Sequence, residues 1–145
     1  MKLKWIALAL RVGLGALFVI AGALKLGDPM RFAIEVTNYR LLPALAPYLA
    51  VILPPVEVVL GLALIAMPRS WRRAAALALT GLMAIFTVAV AQVVARGINV
   101  DCGCFGGASG PVNGWTVARD VALFAMAAVV LVLESRRGAS PRPTT

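Results

Sequence analysis

The sequence predicts an all-α integral membrane protein, in which four spanning helices form an up-down-up-down bundle. The 145-residue chain is 61% hydrophobic and 14% charged, whereas soluble domains are about 45–50% apolar and about 25% charged. One domain of this length could not bury so much apolar surface in water. Four apolar stretches also reach the roughly 20 residues that a bilayer span requires. Both observations indicate that lipid is the solvent.

The spans are predicted to form one membrane domain at residues 1–135, followed by a cytoplasmic tail at 136–145. Short connections between the spans favour antiparallel neighbours. The first span could instead be a cleavable signal peptide, because Lys2 and Lys4 precede it, but Arg11 interrupts its apolar run. The predicted spans are residues 5–26, 45–67, 71–94 and 115–133.

A short helix is predicted to lie in the membrane interface after span one. The pair Asp28-Pro29 ends the first helix. Beyond it, Phe32, Val36 and Tyr39 recur at the spacing of one helical face. Such an amphipathic segment suits the interface, although a simple structured connector would show the same pattern.

The net charge of +8 is explained by membrane topology. Because of where the basic residues lie, we expect no nucleic-acid partner. Eight of the fourteen basic residues fall on the side that carries both termini, and the positive-inside rule places that side in the cytoplasm. We therefore expect a bacterial inner-membrane protein whose third connection is extracytoplasmic, where disulfides persist. The eight residues are Lys2, Lys4, Arg69, Arg72, Arg73, Arg136, Arg137 and Arg142.

Both cysteines lie one residue apart in this third connection, as Cys102-Gly103-Cys104. A disulfide needs Cα atoms about 4.4–6.8 Å apart, and so close a pair reaches that geometry only in a tight, strained ring. Gly103 eases closure because it has no Cβ. Strained disulfides are easily reduced. Cys102 and Cys104 are therefore predicted to be the catalytic, redox-active pair.

Three other roles for these thiols stay open: inert thiols, a structural disulfide, or a soft-metal site such as Cu(I). The chain contains no histidine, which excludes Ser-His-Asp and Cys-His hydrolases. Zinc needs four ligands, which two chains together could supply but one chain does not. No metal ligand is assigned. The loop that a partner would contact comprises Asp101, Gly103, Phe105 and Gly106.

Charged side chains inside the spans need partners or functions, because a charge is costly in a bilayer. Glu57 lies near the middle of span two and Arg11 lies in span one. We expect the long stem of Arg11 to reach Glu57 and form an ion pair that locks the two helices. A site for a proton or a quinone-like head group is the alternative. Lys25 and Arg119, with Asp120, are expected to anchor the interface.

Several short motifs resemble those of DoxX-type membrane proteins, and the thiol segment resembles that of the MauE (methylamine utilisation) subgroup. The similarity covers about residues 5–135. The motifs are Gly22-Ala-Leu-Lys25, Asp28-Pro29, Tyr39-Arg-Leu-Leu-Pro43, Pro55-Val-Glu57, Asp101-Cys-Gly-Cys-Phe-Gly106, Trp115 and Arg119-Asp120.

The resemblance implies a four-span protein that works with an extracytoplasmic thioredoxin-like partner to mature a disulfide-rich client. It implies that Cys102 and Cys104 are the exchanging thiols and that Glu57, Arg11 and Lys25 are further functional residues, and it makes a quinone the candidate cofactor. Two alternatives remain. One is a non-enzymatic assembly or transport factor whose cysteines are structural or bind metal. The other is a subunit of a quinone-linked oxidoreductase.

Overall fold

The computed structural model of the protein describes residues 1–101 and 110–136. Helices account for most of these residues, and a 3-10 turn at Pro43–Leu45 precedes the third helix. Apart from Arg136, the predicted tail at 136–145 lies outside the described residues. The helices are α1 Lys2–Gly27, α2 Pro29–Asn38, α3 Ala46–Ala66, α4 Arg69–Ala95 and α5 Gly114–Arg136.

The predicted all-α bundle is confirmed, since α1, α3, α4 and α5 are each long and apolar enough to cross a membrane. Helix α1 packs against α3 and α5, and α4 packs against the same two helices. Gly15 lies against Gly61 and Gly22 against Pro54, so α1 and α3 are antiparallel. Met67 and Pro68 connect α3 directly to α4, which completes the alternating topology.

Most of the apolar surface of the four long helices faces outward. In the apolar 18-residue stretch of each long helix, only 22–33% of the residues are buried inside the bundle. Val51, Ile85 and Val88 are each more than 60% exposed. Contiguous apolar faces of this extent are stable in lipid, whereas soluble monomers rarely expose them. The interior contains interlocking side chains from all four long helices: Leu14, Phe18, Leu64, Leu79, Met83 and Val130.

Local hydrogen bonds fix two helix starts at the end of the bundle where α4 finishes. Oδ1 of Asp28 accepts from the backbone N of Arg31 at 3.0 Å, and Pro29 opens α2. At the start of α5, Asn113 Oδ1 accepts from the backbone N of Thr116 at 3.2 Å, and Thr116 Oγ1 accepts from the backbone N of Asn113 at 3.3 Å. These reciprocal bonds satisfy donors that the helix itself leaves unpaired.

Candidate functional site

A buried ion pair joins α1 to α3 in the interior of the bundle. Nζ of Lys25 donates to both carboxylate oxygens of Glu57, at 2.7 Å and 2.8 Å. The two side chains are 2% and 1% exposed. Charge-assisted hydrogen bonds of this length are among the strongest in proteins. The pair is therefore a neutral, hydrogen-bonded unit, which is how charges within a bilayer are stabilised.

Two phenylalanine rings cover the ammonium group of Lys25. Its Nζ lies 5.1 Å from the centroid of the Phe32 ring and 5.2 Å from that of Phe86, within the roughly 6 Å range of cation–π attraction. Phe32 belongs to α2 and Phe86 to α4. Together with Glu57 on α3, these contacts make Lys25 a junction of four helices.

The close approach of α1 to α3 sets the register of their side chains. A Cβ at Gly22 would lie 2.7 Å from the carbonyl oxygen of Pro54, and a Cβ at Gly61 would lie 2.6 Å from the carbonyl oxygen of Gly15. Atoms cannot approach that closely, so glycine is required at these contacts. Small residues allow membrane helices to pack at short distance, and the antiparallel register follows from these two points.

The predicted pairing of Arg11 with Glu57 is wrong. The register places Glu57 opposite Val19, so Arg11 lies about 12 Å and Lys25 about 9 Å away along the axis. Helical side chains lean toward the N-terminus of their own helix. Lys25 therefore leans toward Glu57, whereas Arg11 leans away and its Nη1 lies 3.7 Å from Oε1 of Glu134. The expectation that Lys25 anchors the interface is also wrong, because its side chain is buried and pairs with Glu57.

Asp120 of α5 places a second buried carboxylate beside the ion pair. It is 3% exposed, and its Oδ1 accepts from Nε and Nη2 of Arg119 at 3.2 Å and 3.0 Å. Its Oδ2 has no hydrogen-bond partner within residues 1–101 and 110–136. Asp120, Lys25 and Glu57 all line a cavity of about 20 Å³, which is large enough for one water molecule. We call these three residues the polar centre.

An apolar cavity of about 210 Å³ lies beneath α2, between α3 and α4. The helix predicted after span one is thus confirmed as α2, and it covers one side of the apolar cavity. Phe32 and Phe86 line this cavity and also cover Lys25, so the two rings separate the apolar cavity from the polar centre. The remaining walls are mostly aliphatic and include Val36, Leu49, Leu53, Leu82 and Ile85.

The predicted thiol site lies outside the described residues, except for its first member. Asp101 and Pro111, which flank the segment, form an antiparallel bridge, and the backbone N of Val112 donates to the carbonyl oxygen of Val100 at 2.8 Å. The segment therefore starts and finishes at one point, between the end of α4 and the start of α5. The site residues outside the description are Cys102, Gly103, Cys104, Phe105 and Gly106.

The base of the thiol segment packs on the same residues that wall the apolar cavity. Val100 and Val112 pack against a cluster that includes Tyr39 and Val93. Nε2 of Gln92 donates to the carbonyl oxygen of Tyr39 at 2.9 Å, and Tyr39 also lines the cavity. The thiol base, the cavity and the polar centre are therefore contiguous.

Glu134 is a buried charged residue that the sequence analysis missed. The predicted fourth span ends at residue 133, whereas α5 continues to Arg136. Glu134 is 3% exposed and faces Arg11 and Arg72. The sequence signal that could have identified Glu134 is an acidic residue directly after the apolar run of α5.

The structure offers no candidate ligand set for a metal: no group of three His, Cys, Asp or Glu residues converges in the part of the chain that the structure describes.

Comparison with known proteins identifies the family of the chain. The profile of the family described as "Methylamine utilisation protein MauE" matches residues 3–133. The chain is 38% identical over 125 residues to the methylamine utilization protein MauE of Paracoccus denitrificans. That alignment covers 84% of this chain and 66% of the relative, so the chain spans just under two thirds of the relative's length. No solved structure matches significantly. The profile match over most of the chain and the identity to this relative show that the chain belongs to the MauE family of membrane proteins.

Proposed function

We propose that this protein acts in methylamine utilisation as a membrane-embedded thiol–disulfide redox protein. Cys102 and Cys104 would exchange disulfides with a thioredoxin-fold partner that matures a disulfide-rich client. The relative named for methylamine utilisation supports the pathway. The redox role rests on one observation: the only two cysteines are one residue apart, in a segment whose flanks, Asp101 and Pro111, are bridged at the helix ends.

The proposed exchange passes through one mixed disulfide. One cysteine thiolate attacks a sulfur of the partner's disulfide, a new S–S bond joins the two proteins, and the partner's other sulfur leaves as a thiolate. The second cysteine then attacks the first, releases the partner and closes a bridge between Cys102 and Cys104. Two electrons reach the partner, and the two protons lost by the cysteines reappear on its thiols. The reverse sequence oxidises the partner.

We place the thiol segment on the extracytoplasmic side of a bacterial inner membrane, with both termini in the cytoplasm. The distribution of charge supports this orientation, because basic residues that retain a segment in the cytoplasm gather at the opposite end of the bundle. The oxidising compartment is also the one in which a disulfide persists. The described basic residues at the terminus-bearing end are Lys2, Lys4, Arg11, Arg69, Arg72, Arg73 and Arg136.

A quinone is our candidate for the second redox partner, because one cysteine pair cannot relay electrons to another pair within this chain. The apolar cavity of about 210 Å³ supports it. That volume is below the roughly 300–1,000 Å³ of pockets for drug-sized ligands, so it suits a single ring. The same cavity favours the second candidate function, a subunit of a quinone-linked oxidoreductase.

Cysteine trapping tests the exchange. Cys102→Ser and Cys104→Ser each lack one thiol, so the variant that retains the attacking cysteine should accumulate a mixed disulfide with an extracytoplasmic thioredoxin-fold protein. The adduct would run as a heavier band on non-reducing gels and disappear with dithiothreitol. The variant that lacks both cysteines is the control. If neither single variant forms an adduct at normal membrane levels, the redox proposal fails and a non-enzymatic assembly or transport factor is favoured.

Two further measurements test the orientation and the carrier. A membrane-impermeant maleimide should label the cysteines of reduced intact spheroplasts, and labelling only after lysis would reverse the orientation. For the carrier, Leu53→Trp fills the apolar cavity and should slow quinone reduction by reconstituted protein. Val51→Trp places the same ring on the exposed face of α3 and is the matched control. Equal rates in both variants would remove the cavity from the proposal.

A further inference from the structure

Three arginines surround the single carboxylate at the terminus-bearing end of the bundle. Nε of Arg72 lies 3.3 Å from Oε2 of Glu134, and Nη1 of Arg11 lies 3.7 Å from Oε1. Nη2 of Arg69 donates to the backbone carbonyl oxygen of Glu134 at 3.0 Å. The arginines come from α1 and α4 and the carboxylate from α5. We call these four residues the arginine cluster.

The arginine cluster carries two positive charges that no other side chain compensates. The sequence has six acidic residues, and Glu134 is the only one at this end of the bundle. The residues outside the description, 102–109 and 137–145, contain no aspartate or glutamate. The other five carboxylates lie in the middle of α3 or toward the thiol end: Asp28, Glu35, Glu57, Asp101 and Asp120.

Two donors of the arginine cluster lack a hydrogen-bond partner. Nε of Arg11 and Nε of Arg69 are both buried and unpaired within residues 1–101 and 110–136. An unpaired buried donor is costly, and guanidinium groups are suited to bidentate contact with phosphate oxygens. The excess charge and the free donors therefore both point to an anionic, oxygen-rich ligand.

We propose that the arginine cluster binds the phosphate of an anionic phospholipid from the leaflet around the termini. The side chains of Arg11 and Arg72 are 15% and 23% exposed, so a headgroup can approach them. Trp71 lies beside Arg72 in the first turn of α4 and is 65% exposed, and exposed tryptophans are enriched at headgroup depth. Basic pockets between membrane helices bind such headgroups. Glu134 holds the guanidinium groups together and competes with the phosphate for them.

This site does not depend on the proposed thiol chemistry. Its residues lie at the opposite end of the bundle from Asp101, and none of them lines the apolar cavity or the polar centre. Substitutions in the arginine cluster should therefore leave disulfide exchange unchanged, which separates a failure of this proposal from a failure of the redox proposal.

Native mass spectrometry of the full chain in a neutral detergent can test the site. Phosphatidylglycerol and phosphatidylcholine are titrated separately, and phosphatidylglycerol should bind more tightly. Arg69→Gln and Arg11→Gln should each weaken its binding about fivefold, the effect of one basic residue at a membrane surface. Arg73→Gln, which removes an exposed charge outside the cluster, should change it less than twofold.

Glu134→Gln supplies a test of opposite sign. It removes the competing carboxylate, so binding of phosphatidylglycerol should tighten about fivefold, and this outcome is informative even if an arginine variant fails to fold. Weaker binding by Glu134→Gln, an equal loss with Arg73→Gln, or unchanged binding by both cluster arginine variants would overturn the proposal. Displacement of the lipid by millimolar inorganic phosphate would also overturn it, because the site would then belong to a soluble anion.

Discussion

Removing one partner of the buried Lys25–Glu57 pair should destabilise the bundle more than removing both. Lys25→Met keeps the length of the side chain and its packing on Phe32 and Phe86, but it removes the ammonium. Glu57, which is 1% exposed, would lose both of its hydrogen bonds. Breaking a buried ion pair in this way costs about 3–5 kcal/mol, and the lost cation–π contacts act in the same direction.

The opposite single variant and the double variant complete the cycle. Glu57→Leu leaves the ammonium group unpaired, with an expected loss of about 3–5 kcal/mol. The double variant leaves no buried charge, and apolar replacements of buried ion pairs are often neutral, so its loss should be about 1 kcal/mol. The coupling between the two sites should therefore be at least about 5 kcal/mol, above the roughly 0.5–3 kcal/mol range for residues in contact, because each single variant leaves one buried charge unpaired.

Reversible unfolding in mixed micelles, followed by circular dichroism, measures these free energies. Arg73→Gln is the control, because Arg73 lies exposed on α4 and substitutions of surface residues usually change stability by about 0.5 kcal/mol or less. If both single variants lose less than about 1 kcal/mol and their effects simply add, Lys25 and Glu57 are not a stabilising pair, and the reasoning from burial is refuted.

Three other substitutions have defined outcomes in the same unfolding assay. Gly61→Ala should cost about 1–3 kcal/mol because its Cβ meets backbone, whereas Gly13→Ala, with nothing within 4 Å, should be neutral or stabilising; equal effects would contradict the packing. Asn113→Ala should cost about 1 kcal/mol through loss of the α5 cap, and no loss would remove that cap. Gln92→Ala should cost about 1 kcal/mol and speed amide exchange near Tyr39; unchanged exchange would contradict that contact.

The four spans and their alternating direction could be predicted from the sequence because they depend on local composition. Apolar stretches of about 20 residues and short connections determine both features. The pairing of Lys25 with Glu57 needed two further facts, the helix register and the lean of helical side chains. The helix register depends on Gly22 and Gly61, whose contacts lie on another helix. The lean of helical side chains is a general rule, and it would have favoured Lys25 over Arg11 as the partner of Glu57.

The polar centre and the arginine cluster depend on contacts between helices that are distant in the sequence. Asp120 meets the ion pair only because α5 packs beside α1, and no periodicity in the sequence encodes that neighbour. Glu134 meets Arg72 across 62 residues. The apolar cavity is a packing result, since it exists only where α2 folds over α3 and α4. Such features require the assembled bundle.

Several residues line two features each, and all of these features lie toward the thiol end of the bundle. Tyr39 belongs both to the base of the thiol segment and to the apolar cavity, and Phe86 belongs both to that cavity and to the lining of the polar centre. The base of the thiol segment, the apolar cavity and the polar centre therefore share wall residues along one side of the bundle. Coupling between sites travels through packed contacts of this kind. Glu134 lines neither cavity, so its environment should stay the same when the base of the thiol segment changes.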